Sequence, residues 1–61
     1  MHKYMKKQQV EKMFRNDIKN INIIDKQMER IYWVQLLNFL NRNGGITQQQ
    51  YNCLIDEKIR N

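Results

Sequence analysis

A helix stop and a capped helix restart lie within four residues of each other near the end of this chain. They leave little freedom in how its last third can fold. The segment 36–61 reads LLNFLNRNGGITQQQYNCLIDEKIRN. Asn43-Gly44-Gly45 ends an apolar helix, because glycine enters the left-handed conformation without a Cβ penalty. Thr47 then offers an N-cap hydroxyl, and Gln50 three residues on completes a Thr-x-x-Gln capping box. Ile46 and Tyr51 occupy the two positions of a hydrophobic staple across that cap. The segment therefore reads as an αα-hairpin.

The remainder is compatible with helices throughout. There is no proline, and Gly44 and Gly45 are the only glycines, so nothing interrupts a helix before residue 43. Val10, Met13, Phe14, Ile18 and Ile21 recur on one helical stripe and predict a first helix over about 4–20, with frayed residues at Met1–Lys7. Asn20-Ile21-Asn22-Ile23-Ile24 alternates asparagine with β-branched residues and predicts an extended connector. Asp25 is the expected N-cap of a second helix over about 26–42. That helix carries Met28, Ile31, Tyr32, Trp33, Val34, Leu36, Leu37, Phe39 and Leu40, too many for one stripe. A helix so apolar all round is expected to be central and contacted on two or more sides. A third helix over about 48–60 presents Tyr51, Leu54, Ile55 and Ile59. The expected fold is a small all-α domain of two to three helices with a C-terminal αα-hairpin. Residues 1–24 form a basic N-terminal helix and connector, and residues 25–61 the hairpin, within a single domain.

Size and charge bound the function. A 61-residue chain buries only about 60% of the surface its unfolded form exposes, so a partner or a homo-oligomer is a reasonable expectation. The net charge is +5, and residues 1–26 hold seven Lys or Arg against three Asp or Glu. The electrostatic end is thus the first helix. Lys12, Arg15 and Lys19 recur there at helical spacing, opposite Val10, Met13 and Ile18, as candidate phosphate contacts. One cysteine, Cys53, cannot form an internal bridge, which fits a reducing cytoplasm. No apolar run approaches the roughly 20 residues needed to span a membrane, and no signal-peptide core follows the basic start. The expected location is cytoplasmic. The abundance of Asn, Ile and Lys hints at an AT-rich bacterial or phage genome.

Nothing in the chain assembles into catalytic machinery. His2 is the only histidine and sits at the terminus. Cys53 lies at the edge of an apolar stripe and reads as a half-buried structural thiol. Asp56-Glu57 reads as a solvated face shared with Lys58 and Arg60. Gly44-Gly45 follows a helix and lacks the Lys-Ser/Thr of a phosphate loop. The expectation is a non-enzymatic protein with no metal and no cofactor. The aromatic set of helix two divides between two faces, Tyr32/Leu36/Phe39 and Trp33/Leu37/Leu40. One face can pack on helix three while the other meets a partner. Trp33, Leu37 and Phe39, with Ile23 and Ile24 of the connector, are the candidate protein-binding residues.

Two resemblances add to this reading. Leu36, Leu37, Leu40, Gly45, Ile46, Thr47, Tyr51, Leu54 and Ile55 resemble, position by position, the short C-terminal (SHOCT-type) helical-hairpin motif of bacteria. The similarity spans Leu36–Ile59, less than half of the chain. The family usually has Glu where this chain has Gln48–Gln50, and its Lys-rich last helix is represented by Lys58 and Arg60. The resemblance implies an oligomerisation or protein-interaction module, often carried by mobile elements, and no enzyme. Leu36–Glu57 also resembles a helix-turn-helix of the lambda-type phage repressors. Gly45 would be the turn glycine, and Gln48 and Gln49 would read adenine edges from the recognition helix. Asn41 and Gly44 depart from that pattern, which wants a small and an apolar residue there. The expected function is a basic accessory or regulatory protein of a phage or mobile element. It docks on a larger protein, such as a recombinase, polymerase or defence protein, and modulates its action on nucleic acid. The alternative is a direct DNA-binding regulator of transcription or recombination.

Overall fold

The helix boundaries around the hairpin come from local hydrogen-bonding devices. Asp25 is extended (φ −91°, ψ 128°), and its carboxylate accepts the Gln27 N–H at 3.0 Å, satisfying one donor that the first turn leaves orphaned. Thr47 Oγ1 accepts the Gln50 N–H at 3.0 Å, and Gln50 Oε1 accepts the Thr47 N–H at 2.8 Å. Gly44 takes φ 78°. The Gly45 N–H then reaches back to the Leu40 carbonyl (2.6 Å) and the Gly44 N–H to that of Asn41 (3.2 Å). These are the two bonds of a Schellman stop.

The computed structural model describes residues 3–60, the side chains of the last two excepted. It is all-α. Helix α1 runs Lys7–Ile21, α2 runs Lys26–Arg42, and α3 runs Gln48–Ile55 and continues into a π-helical turn over Asp56–Arg60. The α2–α3 hairpin is as expected. Two boundaries of α1 differ. The helix continues through Asn20 and Ile21, where an extended connector is expected from the sequence. The stop is Asn22, at φ 68°, whose N–H and that of Ile23 both bond the Ile18 carbonyl. Asparagine tolerates this left-handed conformation, and a β-branched residue costs a helix only a few tenths of a kcal/mol. Geometry at one residue therefore outweighs the propensity of its neighbours.

At its start α1 begins later, at Lys7, yet residues 5–7 are not frayed. The Met5 N–H donates to the Gly45 carbonyl, and the Gln50 amide donates to the Met5 carbonyl, each at 2.8 Å. The segment before α1 is thus tied across the hairpin turn. Met1 and His2 lie outside the described residues.

Helix α2 is central, with α1 and α3 both packed on it. The core takes Val10 and Phe14 from α1, Trp33, Leu36, Leu37 and Leu40 from α2, Ile46 from the turn and Leu54 from α3. The Phe14 ring meets Trp33 edge-to-face, with centroids 4.8 Å apart, a favoured aromatic geometry. Ile21, expected on the buried stripe of α1, is 55% exposed, because the packed part of that stripe ends at Ile18. Segments 1–24 and 25–61 thus share one core. Among the described residues, no helix is long and apolar enough to cross a membrane.

Candidate functional site

The structure divides the expected protein-binding residues. Trp33 and Leu37 are core, at 2% and 0% exposure, and neither can meet a partner in this fold. Trp33 is fully engaged. Its indole N–H donates to the Leu54 carbonyl at 3.1 Å, at the junction where α3 passes into its π turn. The Lys58 ammonium lies over its ring and that of Phe14, 5.3 and 5.1 Å from the centroids, within cation–π range. Lys58 is therefore not simply part of a solvated face. Ile23 is half-buried.

Phe39 and Ile24 are on the surface, at 62% and 90% exposure, and with them are Met28 at 52% and Ile31 at 49%. At about 100° per residue, Met28, Ile31 and Phe39 fall within roughly 80° of each other. They point roughly 140° away from the arc of Trp33, Leu36, Leu37 and Leu40. So α2 carries a second apolar line on the side away from the core, interrupted by exposed Gln35. Met28 and Ile31 were not singled out from sequence. Their position opposite Trp33 and Leu37 becomes informative only once packing selects that side as the inner one.

The charged residues of α1 are sorted by face. Lys12, Arg15 and Lys19 are exposed and lie together along a shallow hollow with Gln9, Met13 and Asn16, and no carboxylate borders it. Of the two acids of α1, Glu11, one turn before Arg15, is half-buried and interacts with Lys7. Asp17 accepts the Tyr32 hydroxyl at 2.7 Å, joining α1 to α2. That bond, with burial, raises the Tyr32 pKa above its ordinary value. Lys7 pairs with Glu57, which ties the start of α1 to the π turn and raises the lysine pKa.

Gln48 and Gln49 are exposed at the start of α3. The Gln48 amide donates to the Asn52 side chain at 3.2 Å. Gln49 borders a different hollow, with Lys7, Cys53 and Glu57, so the two glutamines and the three α1 cations do not form one site. Cys53 is exposed, which corrects its reading as a half-buried thiol. The short α3 turns only Leu54 fully inward. Asn41, a departure from the helix-turn-helix pattern, donates its amide to the Ile46 carbonyl at 3.3 Å and so fastens the turn. No group of three or more His, Cys, Asp or Glu among the described residues could hold a metal ion. No protein-family model, curated protein or solved structure matches the chain.

Proposed function

We propose that the protein is a non-enzymatic accessory module that docks on a larger protein through the outer face of α2. The observation that carries this reading is the line Met28, Ile31 and Phe39 opposite the core, with Ile24 also exposed in the connector that precedes α2. At roughly 200 Å² per large side chain, these exposures amount to about 500 Å² of largely apolar surface. The largest apolar patch of a typical monomer is of this order, roughly 300–600 Å², and is often a binding site; here Gln35 divides it. The hairpin, its glycine stop and its capping box are in keeping with the SHOCT-type resemblance and its interaction role. A phage or mobile-element regulator acting on a recombinase, polymerase or defence protein is the corresponding biological setting, by analogy.

The helix-turn-helix reading has less support. Gly44, not Gly45, takes the left-handed turn conformation. The segment before α1 is bonded to the turn and to Gln50, close to the start of the would-be recognition helix. The π turn that follows α3 carries Asp56 and Glu57, and acids there oppose a phosphate backbone, although Glu57 is paired with Lys7.

The test compares the native chain with Phe39→Glu and Met28→Glu as immobilised baits. Both positions are exposed, so circular dichroism and Trp33 emission should be unchanged. The native chain should retain a partner that both variants lose. Retention of the same partner by the variants would remove the α2 face from the function. A native dimer that Phe39→Glu dissociates would assign the face to a second copy instead.

A further inference from the structure

We infer that α1 is a separate binding element for the sugar-phosphate backbone of duplex nucleic acid, through Lys12, Arg15 and Lys19. Three observations carry it. The three cations share one exposed face, bordered by Gln9, Met13 and Asn16 with no carboxylate. Asp17 is held by the Tyr32 hydroxyl on another side of the helix, and Glu11, one turn before Arg15, is half-buried and interacts with Lys7. From residue 12 to 19 the helix rises roughly 10 Å, and one strand of a duplex presents a phosphate every ~3.4 Å along its axis. That figure is the rise along the axis; successive phosphates also wind around it and stand further apart, so a row of this length with extended side chains meets about two to three phosphates of one strand.

The same face argues against the other polyanions. Membrane-surface helices insert bulky apolar residues beside their cations, whereas here Met13 is packed against the core and the other neighbours are Gln8, Gln9 and Asn16. Single-strand binders stack bases on exposed aromatic rings, and α1 has only Phe14, which is buried. Amide side chains beside a cation row suit hydrogen bonds to phosphate and sugar oxygens, which orient a protein on a duplex without reading its sequence. The assignment does not need the α2 face.

The test is fluorescence anisotropy of the full chain on a labelled mixed-sequence duplex of about 16 base pairs, at about 50 and 200 mM salt. Neutralising three phosphates gives a slope of log K against log salt near −2.7, or a loss of about fortyfold between those concentrations. Lys12→Gln/Arg15→Gln/Lys19→Gln should flatten that slope and abolish binding at the lower salt. Lys3→Gln/Lys6→Gln/Lys26→Gln removes the same three charges from the net +5 and should keep most of the slope. Each single substitution in the row should remove about one unit of slope, which keeps the test valid if the triple variant is destabilised. Equal loss in the two triple variants would reduce the effect to net charge and overturn the assignment. So would tighter binding to the corresponding single strand, or binding to phosphatidylserine vesicles without binding to the duplex.

Discussion

Gln50 shows how much a single residue carries in a chain this small. Its carbonyl oxygen closes the capping box on the Thr47 N–H, and its amide holds the Met5 carbonyl. Only the first role is legible in sequence, because it spans three residues and the second spans 45. Thr47→Ala is expected to cost about 1 kcal/mol and Gln50→Ala more, since it also frees the segment before α1. The double variant should cost less than the sum, because either change breaks the reciprocal box. Urea denaturation measures this, and strict additivity would show that the box does not act as a unit. The sequence places Tyr32 only on an aromatic face of α2, yet its hydroxyl bonds Asp17. Tyr32→Phe should cost about 0.5–1.5 kcal/mol near neutral pH. The folded-state pKa of Tyr32 is raised above 10.0. Its contribution is therefore complete below pH 10 and is lost as pH rises through the raised value. The gap between Tyr32→Phe and the native chain should narrow above pH 10. A gap constant from pH 7 to pH 11 would rule that linkage out.

At the scale of the element, two left-handed residues set where α1 and α2 end, and they predict opposite tolerances. Gly44 at φ 78° has no Cβ to strain, so Gly44→Ala should lower stability by about 1 kcal/mol. Asn22 at φ 68° already bears a Cβ, so Asn22→Gly should be neutral or slightly stabilising. Thermal melts of the two variants check the pair, and a destabilising Asn22→Gly would mean that the asparagine side chain itself matters. The Gly44 stop was legible because only glycine residues break the helical run. The Asn22 stop was masked by the isoleucines around it, whose β-branching suggested an extended segment. The neighbouring Gly45 is constrained by packing, since a Cβ there would stand 3.3 Å from both the Leu40 carbonyl oxygen and its Cδ2.

At the scale of the whole molecule, α1 and the α2–α3 hairpin are joined by one core. Val10 and Phe14 of α1 complete the core around Trp33, and Met5, Asp17 and Lys7 each bond to the hairpin or its extension. A peptide of residues 25–61 should therefore be largely unfolded, with less than half of the native helical ellipticity per residue and a red-shifted Trp33 emission. Native-like ellipticity and emission in that peptide would show that α1 is an appendage. A chain of this length is only marginally stable, so loss of one face of its core is enough to unfold it.

The boundary between what sequence alone determined and what packing decided follows the range of the interactions. Helix identity, the Asp25 and Thr47 caps, the glycine stop and the hairpin all rest on contacts within about six residues, and those can be read along the chain. Which side of α2 lies inside cannot. Its apolar residues surround the helix, so periodicity selects no face, and Trp33 and Phe39 were equal candidates for the surface. Docking of α1 and α3 on the Trp33–Leu37–Leu40 side resolved that ambiguity. It buried two of the expected contact residues and turned Phe39, with Met28 and Ile31, toward solvent.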